Sequence, residues 1–489
     1  MEKKLLLFVL FIIGTSTLFA QSFSGKIIDS TTQKPIPFAT IQTDEATGVI
    51  SNEDGYFSIH LPKGDQTKLN ISCMGYGSKE LLVSNIKAQQ NIIVLSEHVN
   101  ELSTVFLSNK ALSIDSIMVR TNRNLKVNYS PFMKKYGVFS RSTNYMDFEK
   151  LDIDIDKASG MRKSKLEGVN YSLDSLSKAV RNSKYIQFLD FAGDYSVSNA
   201  KDRKLKVNKV TVLVDKDKDF SVENVQKKAQ DIVLRYLDTT QTYRLKSGLF
   251  KVEDSLSFGD LKSDRKENEI SLGSLKGNIN LRDTYMLEGT FIPELLDQKY
   301  YDHELLDVSF YQNDMVYVVK FTPRKSSAKY AGTLYIASES YAVLRTDYEY
   351  AEGKRGSKLN LRLLLGVKFI ENVHKGTMLF EKAKDSTYQP KYVFEESGQY
   401  VYVHRPLKFI ENSDDKNKVA FDLLLEGNAR EKRELLLYDI TAITSGDFEA
   451  LTEAKNVEFQ YLKQYDASIW QQYNALEPLE EMKQFKTVE

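Results

Sequence analysis

The sequence predicts a mainly β protein: a small N-terminal β-sandwich, a helical linker, and a larger curved antiparallel sheet with helices packed on it. Three observations carry this. Apolar and polar residues alternate in short runs, first across residues 23–107 and again from about 286 onward. Turn residues punctuate those runs. The chain is also rich in strand-favouring tyrosine, with 28 of them among 42% hydrophobic residues, which marks a folded β protein and not a disordered one.

The first twenty residues read as a secretory leader. Lys3 and Lys4 form a basic head, Leu5 to Ile13 an apolar stretch, and small residues lead to Ala20 before Gln21. The apolar run stops at Gly14-Thr15-Ser16-Thr17, well short of the roughly 20 residues a membrane span needs. The expectation is a cleaved and released protein. With no cysteine after Ala20, lipid attachment there is not expected either. Cys73 is the single cysteine, so no intramolecular disulfide forms and stability rests on the core. Charges balance at 67 basic and 67 acidic residues, which argues against a nucleic-acid or acidic-membrane partner.

Within 21–107, Pro35 and Pro37 flank Ile36 where an edge or loop tolerates a missing donor. Asn52-Glu53-Asp54-Gly55 reads as a hairpin turn. Phe57, Ile59 and Leu61 then share one face opposite Ser58 and His60; Leu69, Ile71 and Cys73 share another, and Ile92 to Leu95 supplies a last apolar run. The joint spacing of Gly25 to Asp29, Pro35 to Pro37, Ala39 to Ile41, Gly48, Asn52 to Phe57, Gly75-Tyr76 and Glu101-Leu102 before Val105 resembles the carboxypeptidase-regulatory-like, transthyretin-type β-sandwich. Such units stand at the front of many Bacteroidota envelope proteins. The resemblance implies a module without catalysis of its own.

A helical linker is expected over 108–130. Ala111, Ile114, Ile117 and Met118 fall at helical spacing, and the asparagine-rich stretch Asn122 to Asn128 is expected to break it. Tyr136-Gly-Val-Phe-Ser-Arg141 then alternates as a strand. This arrangement resembles exported proteins in which the sandwich leads through a helix into a strand ending Phe-Tyr-Arg-Glu; here the chain has Phe139-Ser-Arg141-Ser. Ser221 is placed to cap a helix carrying Val222, Val225, Ala229, Ile232 and Tyr236. Tyr317, Val319 and Phe321 alternate, followed by Gly332, Leu334 and Ile336. Leu359, Leu361, Leu363, Leu365, Val367 and Phe369 are expected to share one face of a strand about 35 Å long. The run from Gly332 to Ile336, with Tyr341 to Leu344 and Tyr348, is similar to the strand-and-turn signature of LolA-like half-barrels. The antiparallel domain is expected over 131–445, with a helical tail over 446–489.

The chemistry-bearing residues mostly take bland readings. His98 and Glu101 have the His-x-x-Glu form of zinc carboxypeptidase ligands, but a catalytic zinc needs a third ligand and a general base. Asp152, Asp154 and Asp156 alternate with Leu151, Ile153 and Ile155 and read as the wet face of a strand. Asp215, Asp217 and Asp219 start like a calcium loop that lacks its glycine and closing glutamate. Cys73 reads as a buried apolar residue. His60, His98, His303, His374 and His404 are dispersed, and His303 sits beside Tyr300, Tyr301 and Asp302 in a cluster that a loop or strand edge explains equally well. No phosphate loop or nucleophile elbow appears.

No catalytic residue, metal ligand or cofactor is therefore expected. The one candidate surface is an apolar-ligand face made of Tyr317, Val319, Phe321, Leu361, Leu363 and Leu365, left open or plugged by the helix around 222–237 or the C-terminal helix. The expected role is a non-catalytic exported envelope protein acting in binding or assembly at the periplasmic side of the outer membrane. Its partner would be another envelope protein or an apolar ligand, with peripheral membrane association. The alternatives are a lipid carrier working through the half-barrel and, more remotely, a metallocarboxypeptidase-related activity.

Overall fold

A computed structural model of the chain describes residues 21–43, 48–61, 68–85, 91–97, 113–159, 161–215, 221, 224–225, 227–228, 232, 240–248, 250–257, 268–312 and 314–487. The expected leader, the His98/Glu101 pair, the aspartates at 217 and 219 and most of the helix expected around 222–237 lie outside these residues. The protein is mainly β, with large curved open sheets and a few helices. It divides into two compact units. One holds the N-terminal residues through Val105 together with 308–315 and 467–481; the other holds the remainder.

The first unit is the β-sandwich. Its strands are β1 (Gln21–Asp29), β2 (Thr40–Thr43), β3 (Gly48–Ile50), β4 (Tyr56–Leu61), β5 (Lys68–Ser72), β6 (Lys79–Leu82) and β7 (Asn91–Leu95). They form a three-stranded sheet ordered β4-β1-β7 and a four-stranded sheet ordered β3-β2-β5-β6. The period-two pattern places Phe23, Ile27, Ile41, Phe57, Ile59, Leu69, Ile71, Ile93 and Leu95 in one core, and Cys73 joins them at 4% exposure. Each such side chain contributes about 1.5–3 kcal/mol when fully buried. The Asn52–Gly55 turn forms as the sequence indicates: the Asn52 side-chain oxygen accepts from the amides of Asp54 and Tyr56, and the Gly55 amide donates to the Asn52 carbonyl. The Asn52 amide also donates to the carbonyls of Glu477 and Pro478, so the segment 467–481 packs with the sandwich instead of forming a separate tail.

The second unit opens with α1 (Ile114–Asn128), then β8 (Lys134–Ala158), α2 (Lys163–Arg181), β9 (Tyr185–Val197), β10 (Arg203–Val214), β11 (Thr242–Ser247) and β12 (Phe250–Ser257). There follow β13 (Glu269–Ser271), α3 (Leu272–Asn278), α4 (Phe291–Leu295), β14 (Tyr301–Tyr311), β15 (Asp314–Pro323), β16 (Tyr330–Ala337), β17 (Val343–Tyr350), β18 (Lys358–Leu361) and α5 (Arg362–Leu365). The chain closes with β19 (Val367–Lys382), β20 (Tyr388–Glu411), β21 (Lys418–Ala442), α6 (Ser445–Ala450), β22 (Asn456–Glu458), β23 (Gln460–Leu462) and a short helix, Glu480–Gln484. The expected helical tail is thus mostly strand and irregular chain. One fourteen-stranded sheet dominates, its path running β14-β15-β16-β17-β19-β20-β21-β8-β9-β10-β23 with the two end strands unjoined. This open curved sheet agrees with the half-barrel expectation.

Two expectations are corrected. The asparagine-rich stretch does not break α1. Asn122 donates to the Met118 and Leu296 carbonyls, while Asn124 and Asn128 both donate to the Ser340 carbonyl, so tertiary bonds satisfy side chains that otherwise compete with the helix backbone. Nor is 359–369 one long strand. Leu361 pairs with Val367 across a reversal in which Gly366 has φ +63°, a conformation open to glycine, so Leu361, Leu363 and Leu365 do not line one face. Alternation alone cannot tell a continuous strand from a hairpin whose turn is itself apolar.

Gly55 has φ +76°, and a Cβ there would stand 2.6 Å from the Ile27 carbonyl oxygen. Gly55→Ala is expected to cost roughly 1–3 kcal/mol, read as a lower urea midpoint for the sandwich. An unchanged midpoint would refute this account of the turn.

Candidate functional site

The register of the long strands sorts side chains onto two faces of the sheet. One row crosses it as Asp190, Arg141 and Glu434 on β9, β8 and β21, placing an acid, a base and an acid side by side. Arg141 and Asp190 are almost fully enclosed, at 3% and 0% side-chain exposure. The guanidinium grips the carboxylate with two parallel bonds, Nε to Oδ1 at 3.0 Å and Nη2 to Oδ2 at 2.7 Å. Burial works against the charge on Arg141, yet the neighbouring Asp190 carboxylate outweighs it and raises the pKa further. Glu434 accepts from the Tyr392 hydroxyl at 3.1 Å. On the same face Glu396 accepts from Lys375 at 3.0 Å and Arg430 at 3.1 Å.

The opposite face carries a second network that the sequence did not reveal. Tyr330 Oη lies 2.7 Å from His374 Nδ1, His374 Nε2 lies 3.3 Å from Glu395 Oε1, and Arg433 Nη2 donates to the same oxygen at 2.6 Å. Phe291 of α4 stacks edge-on against Tyr330 and Tyr348, at 4.9 and 4.6 Å between centroids. Burial alone would raise the Glu395 pKa, but the His374 hydrogen bond and the Arg433 charge outweigh it and hold the carboxyl below its ordinary range. Burial and then the nearby Glu395 charge push Asp283 the other way. Burial, with Tyr350 and Glu371 adding to it, raises the Tyr330 phenol far above its usual value. The contacts from Tyr330 through His374 to Glu395 link β16, β19 and β20.

Beyond His374 on this face lies a groove of about 510 Å³. Asn144, Met146, Tyr185, Gln187, Phe369, Glu371, Ser397, Gln399 and Glu431 contribute to its walls, with Ser357 and Arg430 also at the rim. The register explains the grouping: Glu371 opposes Gln399, Gln399 opposes Ala429, Ala429 opposes Met146, and Met146 opposes Tyr185. α4 covers the face on the His374 side. On the other side α2 packs on β8, where Asn170 bonds both the amide and the carbonyl of Ile155. Glu371 accepts from the Tyr350 hydroxyl and the Ser357 amide, and Glu431 from the Ser142 hydroxyl, so both carboxylates are fixed in place.

The residues singled out from the sequence are scattered. Tyr317, Val319 and Phe321 are buried at 4% exposure or less, opposite Ile336, Leu334 and Gly332. Tyr317 stacks on Tyr341, to which Arg120 of α1 donates, and Phe321 meets the Tyr301 ring edge-on. Leu361 and Leu365 are half-buried in the hairpin and Leu363 is exposed. His303 is pinned by a 2.8 Å contact to the Leu295 carbonyl, with burial lowering its pKa. Asp154 and Asp156 are exposed on β8 and Asp152 pairs with Arg181. Among the described residues no group of three or more His, Cys, Asp or Glu is placed to hold a metal ion. No helix there is long and apolar enough to cross a membrane.

Comparison with known proteins identifies one part of the chain. Residues 23–107 match the CarboxypepD_reg-like domain family, a regulatory, non-catalytic domain, and no catalytic family is indicated. No curated protein matches the sequence. Among solved structures, a DUF1329-family protein from Desulfovibrio piger aligns over 70% of this chain and 98% of its own, at 10% identity and a TM-score of 0.21. Lipovitellin, in a structure devoted to its lipid–protein interactions, aligns over 68% of this chain and 27% of its own, at 7% identity and 0.23. A protein of unknown function from Bacteroides fragilis, described as membrane-associated, aligns over 86% and 98% at 9% identity and 0.13. Likeness at these scores transfers neither fold detail nor function.

Two predictions follow from the networks. Arg141→Met or Asp190→Leu alone is expected to cost about 3–5 kcal/mol by leaving a buried charge unpaired, whereas the double variant recovers most of that loss. Additive losses in a denaturation cycle would refute the coupling. Glu395, with its pKa held low when folded, contributes stability that is complete above its ordinary value of about 4.5 and is lost as pH falls through the lowered one. Glu395→Gln is accordingly expected to be less stable at neutral pH and to lose less on acidification. A melting-temperature series that declines in parallel with the parent's would contradict this.

Proposed function

We propose that this chain is a non-catalytic exported envelope protein that binds a polar, hydroxyl- or amide-bearing partner in the groove of its large sheet. The observation that carries the reading is the groove's lining. The side chains of Asn144, Gln187, Ser397 and Gln399 form no hydrogen bond with another described residue, while fixed carboxylates and the rings of Tyr185 and Phe369 stand beside them. Amides and hydroxyls presented from paired strands give directional contacts, and rings give flat apolar contact. That combination suits holding a polar chain without transforming it.

The leader pattern of Lys3, Lys4, Leu5 to Ile13 and Ala20, together with the regulatory-like front module, supports export and a place at the periplasmic side of the outer membrane. A carrier of apolar ligand would need open space over Tyr317, Val319 and Phe321, and packing leaves none there. The polar groove is the better-supported site.

The reading predicts that the protein fractionates with the envelope and captures glycans or polar peptides from an array of envelope components. Asn144→Leu with Gln399→Leu is expected to weaken capture by about tenfold or more at unchanged melting temperature. Capture that is undiminished in this variant, or a wild-type chain that binds nothing on the array, would overturn it.

A further inference from the structure

The reversal joining β18 to β19 exposes leucine where turns ordinarily carry polar residues. Leu363 is fully exposed at 101%, Leu364 at 82% and Leu359 at 46%. Val252 of the neighbouring β12 is 56% exposed. These side chains do not hang from a loose loop. The Gly366 amide donates to the Arg362 carbonyl at 3.0 Å and the His404 amide to the Gly366 carbonyl at 2.7 Å. Arg405 ties the Leu365 carbonyl to the Ser247 carbonyl at the end of β11, so two hairpins are clamped side by side. Arg362 lies over the Tyr402 ring at 4.1 Å. Residues 358–368 hold three cations, Lys358, Arg362 and Lys368, and no carboxylate. The acids beside them are already engaged: Glu371 by the Tyr350 hydroxyl and the Ser357 amide, Glu426 by Lys150 and the Tyr400 hydroxyl, and Asp422 by His404.

We propose that this tip attaches the protein peripherally to an anionic lipid surface, with Leu363 and Leu364 entering the acyl region and Lys358, Arg362 and Lys368 meeting phosphate headgroups. Two exposed leucines in a hairpin that also carries three cations fit a soft apolar layer bounded by negative charge. The three-to-none charge balance is what selects lipid over a second protein. The proposal rests on the export reading only for which membrane is met, and it does not depend on the groove.

Flotation of the full chain with vesicles of phosphatidylethanolamine and phosphatidylglycerol tests it. The parent is expected to float, less so as salt rises. Leu363→Glu with Leu364→Glu is expected to bind at least about tenfold more weakly. Lys358→Glu with Lys368→Glu should lose the preference for anionic over phosphatidylcholine vesicles. Leu363→Trp should shift its emission to the blue on adding vesicles. Both leucines being exposed, these variants keep their circular dichroism spectrum. The groove variant Asn144→Leu with Gln399→Leu should float as the parent does, which separates failure of one reading from failure of the other. No flotation of the parent, equal flotation of the double glutamate variant, or lipid-free self-association abolished by the same substitutions would overturn the proposal.

Discussion

The large sheet depends on one ion pair sealed within it. A guanidinium and a carboxylate removed from water each carry a desolvation cost of several kcal/mol, recovered only when the geometry is good and neighbouring groups satisfy the remaining donors and acceptors. Arg141 and Asp190 meet that condition through a two-point grip across adjacent strands, with Glu434 and its tyrosine partner one strand further on. The arrangement allows little slippage: moving β9 by one residue against β8 would turn Asp190 to the other face and strand Arg141. In strands as long as β8 and β21, whose apolar alternation tolerates several alignments, such a pair fixes the register that every other contact assumes.

From that register the rest of the face follows. Glu395 lies opposite Arg433, so the strand pairing itself brings them together and aligns His374 and Tyr330 behind them. The same rows, continued past His374, bring Asn144, Gln187, Ser397 and Gln399 together with Glu371 and Glu431 along the groove. The bracing network and the groove are therefore consecutive stretches of the same strands.

The sandwich was legible because its signals are local: a turn with its glycine, alternation over five or six residues, and prolines at an edge. The strands at 315–321 and 332–336 were legible for the same reason, and their pairing sets Tyr317 against Ile336 as the alternation implies. The networks were not legible. His374 and Glu395, or Arg141 and Asp190, come together only through pairings tens of residues apart, and nothing near either partner announces the other. The stretch 359–369 misled because a turn of leucines keeps the same alternation as a strand. The asparagines of α1 misled because their partners, the Leu296 and Ser340 carbonyls, lie far away in sequence. Arg141 was visible within an alternating strand, but its charge in a buried row gave no sign of its importance.

The thiol of Cys73 is shut inside the sandwich core, and the sequence holds no second cysteine for it to meet. The polypeptide's internal disulfide state is accordingly the same whether its surroundings are reducing or oxidising. Its maturation needs neither an oxidant nor an isomerase, and no wrongly bridged species exists to be sorted out. A fold assembled wholly from non-covalent contacts can pass between compartments of opposite redox poise without that passage being written into its bonds.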